Sequence, residues 1–320
     1  MSQKKAVKSE RMDAQSLWWW ELVRCPHCSN VLPLPASAGG SCLGCGAKYN
    51  LSDNVLAWEN DSLPKLGSRH WKRYLKTLLN PLATPLLPFR YWSRWRLEGY
   101  YRRTVGNRKL ADKWAAHYLG KIALKSGAMV LDFGCGRGRN IALLNQLGFR
   151  VVGQDVVPNP WWRQKLTASG FQTLRDTAVL PWKSGGFDMV VEMMVIQNFS
   201  ATLLRRHIEE VMRILKPGGY WLLLEANDHS YGVKEFQRQI ANLHGLGDVH
   251  DLVAANGFEV IDSSFEGFYA PYFPLFINFI RKQCSPHLFD LSDFDSLLAS
   301  RTLPEKRGMW LLRLRKPFIE

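Results

Sequence analysis

Val130-Leu131-Asp132-Phe133-Gly134-Cys135-Gly136-Arg137-Gly138 runs from an apolar stretch through one acidic residue into a turn with glycine at every second position. The apolar run Met129–Leu131 suits a buried strand, and Asn140 to Leu147 suits a helix that stops at Gly148. Arg150 to Gly153 then reads as a second strand leading to Asp155, and Phe187 to Val191 as another. Leu204, Ile208, Val211, Met212 and Leu215 fall at helical spacing, and Lys216-Pro217-Gly218-Gly219 ends that helix before a strand over Tyr220–Leu224. Strand, helix and strand at these lengths predict βαβ units and a mostly parallel α/β sheet.

The glycine turn carries the first chemical signal. Gly134, Gly136 and Gly138 permit close backbone approach and a tight entry into a helix whose first N–H groups attract anionic groups. Asp155 stands 23 residues after Asp132, where an acidic side chain at a second strand end can accept from ribose hydroxyls. The turn alone suits a nicotinamide dinucleotide, another nucleotide, or a chain reversal with no ligand.

Composition bounds the rest. The 320 residues hold 42 Lys and Arg against 28 Asp and Glu, a formal charge of +14, yet 46% are hydrophobic and only 22% charged. That excludes global disorder and allows one large domain plus a small one. The longest strongly apolar stretch without a charge, Gly267–Ile280, has 14 residues and two prolines, short of the roughly 20 that span a membrane. Lysines at the N-terminus precede no apolar signal region, so the expected compartment is the cytoplasm.

The charge is local. Residues 1–120 hold 19 basic and 8 acidic side chains, and Arg69–Lys109 holds 11 basic residues with Glu98 as its single acid. Within Leu66–Lys113 these alternate with Trp71, Tyr74, Phe89, Tyr91, Trp92, Trp95, Tyr100 and Tyr101, and Pro81, Pro85 and Pro88 divide the segment. Aromatics among Arg and Lys can stack on RNA, sit at an anionic membrane surface, hold a phosphorylated acceptor, or simply pack on the domain.

Four of the six cysteines form two knuckles, Cys25-Pro26-His27-Cys28 and Cys42-Leu43-Gly44-Cys45, with 13 residues between them. Four thiolates so spaced can close around Zn²⁺ as a structural site with no open position. His27 is an alternative ligand.

The stretch from Leu22 to Trp58, with its two knuckles, Tyr49 and the run Asp53–Leu56, resembles the small Trm112-like zinc ribbon. V-L-D-F-G-C-G-R-G resembles motif I of the class I S-adenosylmethionine-dependent methyltransferases. Val151–Val157, Arg175–Val191, Glu209–Glu225, Asp248–Ile261 and Met309–Arg315 resemble their later segments in consistent order, over about 190 residues. The resemblance implies a Rossmann-like methyltransferase fold with a mostly parallel seven-stranded sheet and a small N-terminal zinc ribbon. It divides the chain into a tail (1–20), a ribbon (21–62), a basic aromatic connector (63–113) and a methyltransferase domain (114–320) with an insertion at 267–307.

The same resemblance implies S-adenosyl-L-methionine as cofactor. Gly134, Cys135, Gly136 and Gly138 would line its methionine part, with Asp132 near the ammonium. Asp155, with Val156 beside it, would take the ribose hydroxyls. Asp176, Thr177 and Ala178 would read the adenine, Glu192 and Met193 would lie under the sulfur, and Tyr100 would cap the cofactor. Asn198 stands where many members have histidine, so His229 after the fifth strand is the first candidate base, with His250 and Glu192 behind it. No Asn-Pro-Pro-Tyr segment and no Pro-Cys pair follows the fourth strand, which disfavours methylation of an exocyclic base amine or of cytosine C5. Phe268–Ile280 would form an aromatic lid over a hydrophobic, lipid-like small acceptor. An RNA methyltransferase is the alternative, and a non-catalytic cofactor-binding or partner-binding protein the third.

Overall fold

A computed structural model describes residues 17–35, 39–58, 105–156, 158–174, 179–229, 242–266 and 301–318. Three short strands come first: β1 (Gly39–Ser41), β2 (Lys48–Ser52) and β3 (Val55–Trp58). Helix α1 (Arg108–Trp114) widens into a π-turn over Ala115–Leu119, and β4 (Met129–Phe133), α2 (Arg139–Gln146), β5 (Arg150–Asp155), α3 (Pro160–Lys165) and β6 (Gly170–Thr173) follow. The chain continues through β7 (Phe187–Met193), α4 (Ala201–Ile214), β8 (Leu215–Ala226), α5 (Leu246–Ala255), β9 (Glu259–Glu266) and β10 (Met309–Arg315). Among the described residues no helix is long and apolar enough to cross a membrane.

All ten strands join one sheet in the order β1-β2-β3-β6-β5-β4-β7-β8-β10-β9. From β3 to β8 neighbouring strands run parallel, and β10 lies antiparallel between β8 and β9. The seven strands β4–β10 form a Rossmann-like sheet. Strand order reverses at β4, which has β5 on one side and β7 on the other, and ligands of such sheets bind at the carboxyl ends of the strands there.

The cysteine-bearing hairpin extends this sheet rather than standing apart from it. β3 pairs in parallel with β6 through Val55↔Phe171, Leu56↔Gln172 and Ala57↔Thr173. The Trp19 indole lies on Gly170, where a Cβ would stand 2.1 Å from the ring, so only glycine lets this tryptophan seat. Val23 bridges Trp182, the Arg24 N–H donates to the Pro181 carbonyl (2.9 Å) and the Lys183 N–H to the Leu22 carbonyl (2.7 Å). The N-terminal segment therefore holds the chain on both sides of residues 175–178.

Apolar side chains bury on both faces of the sheet. On one face α4 contributes Leu204, Ile208, Val211 and Ile214, α5 contributes Val249 and Val253, the hairpin contributes Tyr49, Leu51 and Leu56, and the segment before it contributes Trp19. On the other, α1, α2 and α3 contribute Trp114, Ile141, Leu144, Trp161 and Trp162. The helix read at 204–215 is capped by Ser200, whose Oγ accepts from the Leu203 N–H, and its apolar stripe is the one that packs. The strand read at Tyr220–Leu224 is longer than expected. It starts at Leu215, and a register shift around Gly218 (φ +74°) absorbs the Lys-Pro-Gly-Gly turn within it.

Candidate active site

The turn after β4 is fixed by its backbone. The N–H groups of Gly134 and Cys135 both donate to the Gln154 carbonyl (2.8 and 3.0 Å), and the Gly138 N–H donates to the Cys135 carbonyl (2.8 Å). Gly134 has φ +71°, and a Cβ there would lie 2.4 Å from Val195 Cγ2. At Gly136 (φ +54°) an added Cβ would meet nothing within 4 Å, so this glycine faces open space. The Gly136 peptide is held from two sides: its N–H donates to Asp155 Oδ2 (2.7 Å) and its carbonyl accepts from Trp162 Nε1 (2.9 Å). Asp155 Oδ1 accepts from the Val156 N–H (2.7 Å), so the end of β5 and the glycine turn form one cradle.

Asp132 lies beneath this cradle, 1% exposed. Burial pushes its carboxyl up to about 7, against the opposing pull of the Asn140 amide and the Arg139 charge. Oδ1 accepts from Asn140 Nδ2 at 3.4 Å, while Oδ2 has no partner among the described residues. Asn140 Nδ2 also lies 3.5 Å from Met193 Sδ, which draws Met193 to the same place. Sequence reasoning passed over Asn140, although its position in the first turn of α2, directly after the glycines, was the available signal.

Glu192 is held elsewhere. It pairs in register with Phe133 and points to the α4 face, where Oε1 lies 2.7 Å from His207 Nε2, and both side chains are fully buried. The rings of Phe133, Phe199 and Trp221 surround His207 at 4.7, 5.0 and 6.1 Å. Of the two residues expected under the sulfur, the structure thus puts Met193 beside Asp132 and Asn140, and Glu192 on the opposite face. Glu225, also buried, accepts from the N–H groups of Val195 and Ile196 and pins the segment after β7; burial pushes its carboxyl up to about 8.

His229 follows β8 with its side chain 65% exposed, its N–H on Asn227 Oδ1 (3.1 Å) and Nε2 at 3.7 Å from Asp228. His250 lies in α5 beside Asp251 (3.3 Å). Neither is bonded to a residue of the cradle. Tyr100, Asp176, Thr177 and Ala178, most of the connector, and 267–300 of the insertion lie outside the described residues.

The four knuckle cysteines converge, with all Sγ atoms within 4.8 Å of one another. Cys25 and Cys45 are 3.5 Å apart, as are Cys28 and Cys42, far longer than a disulfide. Four sulfurs at tetrahedral zinc distance stand about 3.8 Å apart, so the donor set fits that ion. The knuckles repeat one design. The Ser29 N–H donates to the Cys25 carbonyl and the Gly46 N–H to the Cys42 carbonyl (both 2.8 Å), with Ser29 and Gly46 at positive φ. The His27 ring packs edge-on to Trp58.

A parallel sheet with a glycine turn, a buried acid and a second strand-end acid at its reversal point defines a Rossmann-like fold. Residues 131–223 match the family model described as a methyltransferase domain. The chain thus carries a class I S-adenosylmethionine-dependent methyltransferase domain. It is similar to an uncharacterized methyltransferase of Synechocystis (33% identical over 108 residues, 33% of this chain and 51% of that protein). It is also similar to the human protein named "Probable tRNA methyltransferase 9B" (31% over 111 residues, 33% of this chain and 24% of that protein). A third relative is a demethylmenaquinone methyltransferase of Symbiobacterium thermophilum (27% over 127 residues, 36% of this chain and 49% of that protein). The chain spans about half or less of the length of these relatives.

Proposed function

We propose that the protein transfers a methyl group from S-adenosyl-L-methionine to a small, hydrophobic or lipid-like acceptor, with a structural zinc ion in a Trm112-like ribbon. Two observations support the cofactor: Gly136 leaves open space at the cradle, and Asp132 beneath it keeps one carboxyl oxygen without a partner among the described residues. When bound, the cofactor supplies a methyl group already activated on a sulfonium sulfur. The chain's own residues then position and desolvate. Asp132 and the glycine backbone hold the amino-acid end, Asp155 accepts from the ribose, and Met193 and Val195 exclude water from the sulfur side.

One observation supports the choice of acceptor. The segment after β7, Met193-Met194-Val195-Ile196, is apolar, and Val195 lies directly against Gly134 at the cradle. A greasy wall at that point suits an apolar acceptor better than a nucleobase edge that needs hydrogen-bonding partners. The second reading is an RNA acceptor, favoured by the basic aromatic segment Arg69–Lys109 and by the relative whose name includes a tRNA methyltransferase.

Calorimetry with S-adenosylmethionine and S-adenosylhomocysteine tests the cofactor reading, and absence of binding by both would sink it. Copurifying nucleic acid with steeply salt-dependent affinity would transfer the conclusion to the RNA reading. Metal analysis is expected to give one zinc per chain, and its removal by a chelator to lower the melting temperature.

A further inference from the structure

We infer that the cysteine tip of the N-terminal segment docks on an anionic lipid surface, with Leu43, Val31 and Leu34 entering the boundary between headgroups and acyl chains. The inference stands on this tip and needs neither the cofactor nor the acceptor.

The three side chains are 85, 65 and 59% exposed, although the backbone that carries them is fixed. Val31 bridges Arg24, and its neighbour Asn30 accepts at its carbonyl from the Cys25 N–H (2.9 Å). The Leu32 carbonyl accepts from Trp20 Nε1 (3.1 Å) and the Pro33 carbonyl from the Tyr49 hydroxyl (2.5 Å). Leu32 therefore turns inward, while Val31 and Leu34 turn out. Leu43 stands in the second knuckle, at the turn between β1 and β2. The two knuckles touch: a Cβ added to Gly44 would lie 2.0 Å from Asn30 Nδ2, and the Cys28 and Cys42 sulfurs are 3.5 Å apart. Val31 and Leu43 each adjoin one member of the Asn30–Gly44 contact, which places them on one tip. Single scattered aliphatics on a surface need no explanation, but a rigid group of them marks a place of contact.

Charge identifies what is contacted. From Leu22 to Ser52 there is no Asp or Glu, whereas Arg24, His27 and Lys48 can carry positive charge. The cysteine sulfurs are the ionisable acids of this stretch, and the N–H groups of His27, Cys28, Asn30, Gly44 and Cys45 donate to them and disperse their charge. The described part of the segment ends at Trp58, whose ring meets the His27 ring edge-on with centroids 6.4 Å apart, so the chain leaves from beside the first knuckle. Arg69–Lys109, with 11 basic side chains and one acid, begins 11 residues further on. Aliphatic side chains at a tip, with cations and no carboxylate around them, are the complement of an anionic bilayer: the apolar groups enter the acyl boundary and Lys and Arg hold the headgroups.

The test is co-sedimentation of the full-length protein, its metal content measured, with vesicles of phosphatidylcholine alone and of phosphatidylcholine mixed with phosphatidylglycerol. Binding to the mixed vesicles is expected, at least about tenfold weaker on the neutral ones or at high salt. Leu43→Glu should weaken it about 10- to 100-fold, the range for withdrawing a leucine side chain from an apolar phase, and Val31→Glu about tenfold. Leu303→Glu, the same change at a side chain 60% exposed outside the tip, should alter it less than about twofold. Metal content and melting temperature report whether each variant is folded, and Val31→Glu serves as the readout if Leu43→Glu loses its metal. Wild type that ignores the mixed vesicles, equal binding to both vesicle types, or tip variants that bind as wild type does would each overturn the inference. RNA binding abolished by the tip substitutions, in place of vesicle binding, would also overturn it and assign the tip to a nucleic acid.

Discussion

Asp132 and Glu192 are both buried carboxylates near the ends of adjacent parallel strands, and they do opposite things. The register pairs Phe133 with Glu192, so Asp132 and Glu192 stand one position out of step and point to opposite faces of the sheet. On the α2 face Asp132 keeps one buried oxygen without a partner among the described residues. On the α4 face Glu192 is closed in with His207 and three aromatic rings. The functional group is the same; strand parity decides which face of the sheet it joins. Each carboxyl keeps one oxygen buried without a partner among the described residues, and so does His207 at Nδ1; the two sites differ in the neighbour of the other oxygen, an imidazole for Glu192 and an amide for Asp132.

The largest effect should come from breaking the closed side. His207→Ala leaves the Glu192 carboxylate buried and unpaired, and is expected to destabilise the fold by about 3–5 kcal/mol in denaturant titration. The double variant Glu192→Met/His207→Leu should recover most of that loss, because an apolar pair of similar volume carries no desolvation penalty. A double variant as unstable as the single one would show that the pair is more than a packing element.

Next comes the open side. Asp132→Ala should weaken S-adenosylhomocysteine about 10- to 100-fold by calorimetry while leaving stability unchanged or slightly raised, since a buried carboxyl with one unpartnered oxygen is removed. A loss of stability comparable to that of His207→Ala would erase the contrast between the two faces.

A smaller effect is the pH dependence. Burial holds the Asp132 carboxyl near about 7, above its ordinary value, so the folded state binds that proton more tightly than the unfolded chain does. Stability from this group is full below about pH 4 and is lost as pH rises through about 7. Cofactor binding runs the other way, because the ammonium favours the ionised acid. Affinity should therefore fall up to about tenfold for each pH unit below 7 and flatten above it, with release of a proton on binding. In Asp132→Asn that slope should vanish from the calorimetric titration.

The smallest expected change concerns His229, exposed and outside both faces. His229→Ala should leave cofactor affinity within about twofold, as expected for a surface change. A selective drop in kcat, once the acceptor is known, would identify it as the base.

Much of the open side was legible in the sequence, and little of the closed side. The glycine spacing and the two aspartates are local signals, readable without knowing which strand neighbours which. Glu192 and Met193 could not be told apart, because β7 is covered on both faces and its run Phe-Asp-Met-Val-Val-Glu-Met shows no clean polar alternation to reveal parity. His207 did carry a signal: it lies three residues after Leu204 and four before Val211, on the stripe that packs. The pairing of β3 with β6 was invisible for another reason. Its partners stand more than 110 residues apart, and a four-residue strand does not announce which edge it will join.

That pairing has a consequence for how the protein can be regulated. The cysteine hairpin and the methyltransferase sheet belong to one polypeptide, so the strand completing the sheet is present at fixed one-to-one stoichiometry whatever the protein's concentration. Dilution cannot strip it away, and no competing chain can displace it without first peeling Trp19 from Gly170 and Val23 from Trp182. What a two-chain assembly would leave to the supply of a second subunit, this protein settles during its own folding.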